Sequence, residues 1–220
     1  MKEVECSNQI KAVIFDVAGV LRLGGKKKRK SAKDIHISGV HEYIANKLKL
    51  TMDQYFDSID SAYAKSIEGE ISRSILIGIL SSNLNCSKKK VENLYHNAYK
   101  TRFKKNKWLF GVVRQLKKKG YKVAILSDQW HLSEDVLIPK KDQKIFDKVA
   151  ISCDVGMRKP HTEFYRYILD RLKVDPKEAL FIDNQEWNLI PAHKMGMKTM
   201  LFVDNKKAKE QFHELGIEVR

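Results

Sequence analysis

Four polar side chains stand where apolar runs stop, and their types suit attack on a phosphorus centre. Asp16 follows Ala12 to Phe15, Ser127 follows Tyr121 to Leu126, and Asp183 follows Ala179 to Ile182. Lys159 lies in Gly156-Met157-Arg158-Lys159-Pro160, just after the run Phe146 to Ser152. A carboxylate can attack phosphorus and form an acyl-phosphate, dividing one hard displacement into two easier ones. Two carboxylates facing each other repel unless a cation sits between them, and Mg²⁺ accepts carboxylate, carbonyl and water ligands. A hydroxyl and a lysine would hold the phosphoryl oxygens and offset charge developing in the transition state. Taken singly, each residue has an ordinary explanation: Asp16 and Ser127 as caps, Lys159 as a surface charge. Their shared position at strand ends, in order along the chain, favours a catalytic site.

The elements that must position these groups follow from periodicity. The run Ala12 to Phe15 is rich in β-formers and reads as a buried strand, and Gly19 permits a sharp turn just beyond it. Ligands of open α/β sheets bind beyond the carboxyl ends of the strands, which is where Asp16 stands. Between about residues 38 and 103 the pattern is helical. Val40, Tyr43, Ile44 and Leu48 share one face, and Thr51-Met52-Asp53-Gln54 has the form of a capping box. Ser72 and Ser87 read as caps of two further helices, and four helices with short links make a small bundle. Their aromatic and aliphatic stripes read as core.

The second half alternates strand with helix. An amphipathic helix through Trp108 and Leu116 closes on Lys117-Lys118-Lys119 and Gly120. Strands are expected over Tyr121 to Leu126, Phe146 to Ser152, Ala179 to Ile182 and Thr199 to Val203. Helices are expected through Phe164 to Leu172, at Asp175-Pro176-Lys177-Glu178, from near Pro191 to Gly196, and over Lys206 to Leu215. Strands separated by helices imply parallel pairing by right-handed crossovers. The expected fold is therefore α/β, a doubly wound parallel Rossmann-like sheet, with an all-helical insertion. Residues 1–24 and 105–220 form the core in this reading, and residues 25–104 the helical cap.

Composition limits the setting. The 220 residues are 43% hydrophobic and 31% charged, as in a globular protein that can bury a sizeable core. The start carries acids and lacks the apolar stretch of a signal peptide, and no apolar run is long enough to cross a bilayer. Cys6, Cys86 and Cys153 are odd in number and scattered, without metal-ligand spacing, which suits a reduced cytoplasmic setting. The net charge of +15 fits either nucleic-acid contact or an enzyme of anionic substrates. The densest basic cluster, Lys26 to Lys30, has no interleaved aromatic residue for stacking on bases, so a solvated loop is favoured over nucleic acid.

Phe15-Asp16-Val17-Ala18-Gly19-Val20-Leu21, Leu126-Ser127-Asp128, Arg158-Lys159-Pro160 and Phe181-Ile182-Asp183-Asn184 resemble the four motifs of the haloacid dehalogenase (HAD) superfamily. Ser152 to Pro160, Ala192 to Met197 and Gly69-Glu70-Ile71-Ser72 resemble the branch holding glucose-1-phosphate phosphatases and the N-terminal phosphatase domain of soluble epoxide hydrolase. The resemblance implies a helical cap after the first motif and a Mg²⁺-dependent phosphatase for a small phosphorylated metabolite. It makes Asp16 nucleophile and metal ligand, with the carbonyl of Ala18 and the carboxylate of Asp183 as further metal ligands. Ser127 and the backbone N–H of Asp128 would hold the phosphoryl group, and Lys159 would neutralise it and steady Asp16.

Two positions depart from the motifs. The superfamily's phosphatases usually carry a second Asp two residues after the nucleophile, as general acid and base; here it is Ala18. Loss of such help typically costs about 10²–10⁴-fold in rate. Asn184 stands where a second acid is common, and removes one negative charge near the metal. His131, His161 and Glu186 lie near the motifs in sequence and could replace the missing proton donor, and Trp130 and Trp187 could wall the pocket or pack between helices. Beside the phosphatase stand two alternatives: a HAD-like binding or regulatory protein with impaired turnover, motivated by Ala18, and a metal-free 2-haloacid dehalogenase.

Overall fold

The first strand, β1 (Ala12–Phe15), is buried at every position and is the central strand of the sheet. The computed structural model describes residues 9–24 and 39–220. Lys26 to Lys30 and Cys6 lie outside the described residues.

After β1 come β2 (Arg22–Gly24) and four helices, α1 (Val40–Leu48), α2 (Met52–Ile67), α3 (Arg73–Asn83) and α4 (Lys88–Arg102). Strand β3 (Phe103–Lys105) leads into α5 (Lys107–Lys118) and β4 (Lys122–Ser127). Short helices α6 (Glu134–Leu137) and α7 (Lys140–Gln143) precede β5 (Lys148–Ile151), α8 (Ser152–Val155) and α9 (Thr162–Leu172). The chain ends with β6 (Ala179–Asp183), α10 (Glu186–Lys194), β7 (Lys198–Leu201) and α11 (Asn205–Glu214).

Five strands form one parallel sheet in the order β5-β4-β1-β6-β7. This is the doubly wound α/β arrangement expected from the strand–helix alternation. Alternate residues of β1 face opposite sides, as the strand's period of two requires. Val13 and Phe15 join the apolar faces of α5 and α11, while Ala12 and Ile14 pack with Phe164, Ile168 and Leu169 of α9. Register aligns the strand ends: Phe15 pairs with Ile125 of β4 and Ile182 of β6, so the polar residues that follow lie at the same end of the sheet.

The helical insertion begins and ends beside an antiparallel ribbon that periodicity did not reveal, with Arg22 opposite Lys105 and Gly24 opposite Phe103. Asp142 of α7 accepts from Arg22 and from Lys105, at 2.5 Å each, and so pins both strands to the core. Inside the insertion, Thr51 forms a complete capping box with Gln54, and the Ser72 and Ser87 hydroxyls accept from the N–H groups of Ile75 and Lys90. Ile44, Tyr55, Leu76 and Tyr95 bury their side chains in a cluster continuous with the upper face of the sheet.

Two local expectations change. The helix expected from Pro191 starts five residues earlier, at Glu186, and carries Pro191 in its interior. Residues Pro176–Glu178 form a single 3₁₀ turn. Among the described residues, no helix is long and apolar enough to cross a membrane.

Candidate active site

Asp16, the first residue past β1, is 6% exposed and receives two side-chain hydrogen bonds on one oxygen. The Ser127 hydroxyl, from the last residue of β4, donates to Asp16 Oδ1 at 2.9 Å. Lys159 Nζ donates to the same atom at 2.8 Å, and to Asp183 Oδ2 at 2.7 Å. The four residues singled out at strand ends therefore meet, although they come from segments far apart in the chain. Strand order explains it: β4 and β6 flank β1, and their terminal residues project beyond the same sheet edge.

Lys159 is anchored in the loop between α8 and α9, where its backbone N–H donates to Asp128 Oδ1 at 3.0 Å and its peptide to Pro160 is cis. Asp183 is held by the Gln185 N–H at 2.8 Å and by Asn188 Nδ2 at 3.1 Å. These bonds start α10 near the site, ahead of the proline that marks a helix start in the sequence.

Among the described residues, one ammonium between two buried carboxylates leaves the cluster with net negative charge. Burial pushes the Asp16 carboxyl up to about 6; the Lys159 ammonium pulls against this and the Asp183 charge adds to it. Burial alone would lower the Lys159 pKa, but Asp16, Asp183 and Asp128 outweigh it and hold the proton firmly on the amine. Burial also raises Asp128, against the pull of Lys159.

Around this centre lie groups that motif reading missed. Gln129 donates to the Ser127 hydroxyl at 3.0 Å, and its own carbonyl accepts from Ser133 at 2.7 Å. Ser152, at the start of α8, exchanges hydrogen bonds with the backbone of Gln129 at 3.0 Å each way. This chain fixes the rotor of Ser127. Its only sequence signal was a run of small polar residues after β4 and β5, without periodicity.

Ala18 is half-buried in the turn after β1, and its methyl offers no proton. Asn184 lies against the same turn: a Cβ at Gly19 would meet its Nδ2 at 2.6 Å. None of the three candidate replacement donors bonds to the Asp16 cluster. His161 is an exposed N-cap of α9, Glu186 is exposed on α10, and His131 Nε2 is 3.1 Å from the Ile71 carbonyl. Trp187 is 44% exposed, whereas Trp130 is buried and donates to the Tyr99 hydroxyl at 2.8 Å. From α2, the Tyr63 phenol lies within electrostatic reach of Asp128 and Arg158. Burial and the Asp128 charge push it up to about 12, with Arg158 opposing.

The haloacid dehalogenase-like hydrolase family matches residues 10–196. Bifunctional epoxide hydrolase 2 of Rattus norvegicus is 34% identical over 119 residues, covering 50% of this chain and 21% of that protein. Glyceraldehyde 3-phosphate phosphatase of Pyrococcus furiosus is 31% identical over 121 residues, 52% of this chain and 49% of that protein. The chain thus spans less than half the length of either relative. A HAD family enzyme of Bacteroides thetaiotaomicron, solved as a magnesium complex, shares the fold with a TM-score of 0.72 at 20% identity, over 92% of this chain and 98% of that one. With a family match running from just before β1 to just past α10, the chain belongs to the haloacid dehalogenase-like hydrolases.

Proposed function

We propose that the chain hydrolyses a small phosphomonoester through an aspartyl-phosphate on Asp16, with Mg²⁺ as cofactor. The observation that carries this reading is the Lys159 ammonium set between Asp16 and Asp183, with Ser127 on the same Asp16 oxygen. The relatives named as a phosphatase and solved with magnesium support it.

The donor set fits Mg²⁺: two hard carboxylates at the same end of the sheet, a backbone carbonyl at Ala18, and, among the described residues, net negative charge that Lys159 does not balance. Asp16, Asp183 and the Ala18 carbonyl would hold the ion, which when bound offsets phosphate charge and draws the ester toward Asp16. An Asp16 oxygen attacks phosphorus, the ester P–O bond breaks, and the leaving oxygen takes its proton from water because Ala18 supplies none. Ser127 and the Asp128 N–H hold the phosphoryl oxygens, and Lys159 balances their charge. Water then attacks the phosphorus of the intermediate, releasing inorganic phosphate and restoring the Asp16 carboxylate. In this reading helices α1–α4 act as a lid over the site, with Tyr63 of α2 within electrostatic reach of Asp128.

Ala18 favours a second reading, a binding protein that keeps the pocket with slow turnover. Hydrolysis of an aryl phosphate with and without Mg²⁺ separates the two. Metal-dependent turnover that disappears in Asp16→Asn supports the enzyme; turnover surviving in Asp16→Asn rejects the nucleophile. A silent wild type that still binds inorganic phosphate supports the binding protein. Metal-free halide release from a 2-haloacid would assign dehalogenation instead.

A further inference from the structure

A second cluster of ligand-type side chains lies where the loop after β4 and the start of α6 meet α8. His131, Glu134, Cys153 and Asp154 each offer one donor atom, and all four atoms lie within 4.8 Å of one another. Cys153 Sγ is 3.6 Å from Glu134 Oε2. Zinc bonds of 2.0–2.3 Å in a tetrahedron place donors roughly 3.3–3.8 Å apart, so contraction by about 1 Å would close a four-coordinate shell. We propose that these four residues bind a zinc-like divalent transition-metal ion at a site separate from the Asp16 centre. One imidazole, one thiolate and two carboxylates suit such a borderline ion better than Mg²⁺.

The surroundings support this assignment. The Ile71 carbonyl can only accept, so the hydrogen bond to His131 puts the proton on Nε2 and leaves the lone pair on Nδ1. Metal-bound histidines are oriented in this way, with the second nitrogen donating to a carbonyl or carboxylate. Charge points the same way. The carboxylates of Glu134 and Asp154 converge here within 4.8 Å, and a dication between them would offset their repulsion. Cys153 is buried while Asp154 is exposed, which gives the site an anchor and an entrance. Burial and Glu134 keep the Cys153 thiol protonated without metal; on binding, sulfur bonds the ion and its proton leaves to solvent.

The site sits on the seam between sheet and insertion. The His131 N–H donates to the Ser66 hydroxyl of α2 at 3.3 Å, and Arg73 of α3 donates to the His131 carbonyl. A Cβ at Gly69 would lie 2.8 Å from the Cys153 carbonyl, so the α2–α3 turn rests directly on the cluster. Two residues before His131, Gln129 bonds Ser127. An ion here would stiffen both the seam and the loop that orients Ser127.

The test uses the whole 220-residue chain, stripped by chelator and titrated with Zn²⁺ or Co²⁺ in excess Mg²⁺. One equivalent of Zn²⁺ is expected to bind, unchanged in Asp16→Asn. Co²⁺ is expected to give a thiolate charge-transfer band in the near ultraviolet. Cys153→Ser should abolish the band, and His131→Gln should weaken Zn²⁺ binding by at least about 10–100-fold. Asp154→Asn, at an exposed position, tests the site without disturbing the core and should also weaken binding. Absence of a bound equivalent, a band that survives Cys153→Ser, or wild-type affinity in both His131→Gln and Asp154→Asn would overturn the proposal.

Discussion

Gly19 and Asn184 are locked in mutual contact: a Cβ on Gly19 would stand 2.6 Å from Asn184 Nδ2. Gly19 also has φ of +93°, a conformation L side chains resist. Gly19→Ala is therefore expected to lose on the order of 1–3 kcal/mol. Asn184→Gly in the same chain should recover only the steric part, since the backbone strain remains. Urea midpoints of the single and double variants measure this, and a Gly19→Ala protein as stable as the wild type would refute it.

Lys159→Met removes the ammonium that pairs with both Asp16 and Asp183. Leaving buried charge without its partner costs about 3–5 kcal/mol. The Asp16 pKa already lies above its unfolded value, and without Lys159 it must rise further. The folded variant then binds more protons than its unfolded chain, so its stability should increase as pH falls from 7 toward 5. Melting temperatures across that range decide the matter; a variant least stable at pH 5 would contradict the charge argument.

His41 gives a pH dependence of the opposite sign. Burial pushes its imidazole down to about 4, and it sits against the Tyr55 hydroxyl at 2.9 Å. Between pH 6.5 and 4 the unfolded chain takes up a proton that the folded chain refuses. Its contribution is present at neutral pH and lost as pH falls through this window, on the order of 2–3 kcal/mol. The acid loss of stability should be shallower by that amount in His41→Gln, as read by denaturant titrations at pH 4.5 and 7.

Ala18→Asp restores a carboxyl group two residues after Asp16. Under the phosphatase reading, turnover of an aryl phosphate with Mg²⁺ should rise, by up to about 10²–10⁴-fold. The gain should appear in kcat and disappear when Asp16→Asn is added. An unchanged kcat would mean that proton transfer is supplied by another route.

Much of this was legible because it is written locally. Ala12–Phe15 announces a buried strand by β-branched and apolar residues alone, and Thr51, Ser72 and Ser87 announce helix starts by hydroxyls that satisfy orphan N–H groups. The Asp16, Ser127 and Asp183 positions followed from where apolar runs end. The β2–β3 ribbon was hidden because strands of three residues, Arg-Leu-Gly and Phe-Lys-Lys, have no period to read. Its anchor is Asp142, more than thirty residues beyond β3 in the chain. The start of α10 was misjudged because Pro191 looks like a first-turn residue, while Asp183 fixes the helix entry through Gln185 and Asn188. The Gln129–Ser133–Ser152 chain was invisible for the same reason: its partners are set by tertiary contacts.

The hydrogen bonds of the Asp16 centre join residues 111 and 143 positions apart. Contacts of such sequence separation form late, since long loops must close before they are rewarded. During refolding, helix content should therefore return before the Asp16 centre does. The centre is complete only when β1, β4 and β6 lie side by side, so recovery of its hydrogen bonds reports native topology, not merely collapse. For this chain, the buried polar groups of the Asp16 centre are also the signature that the sheet has been threaded in the right order.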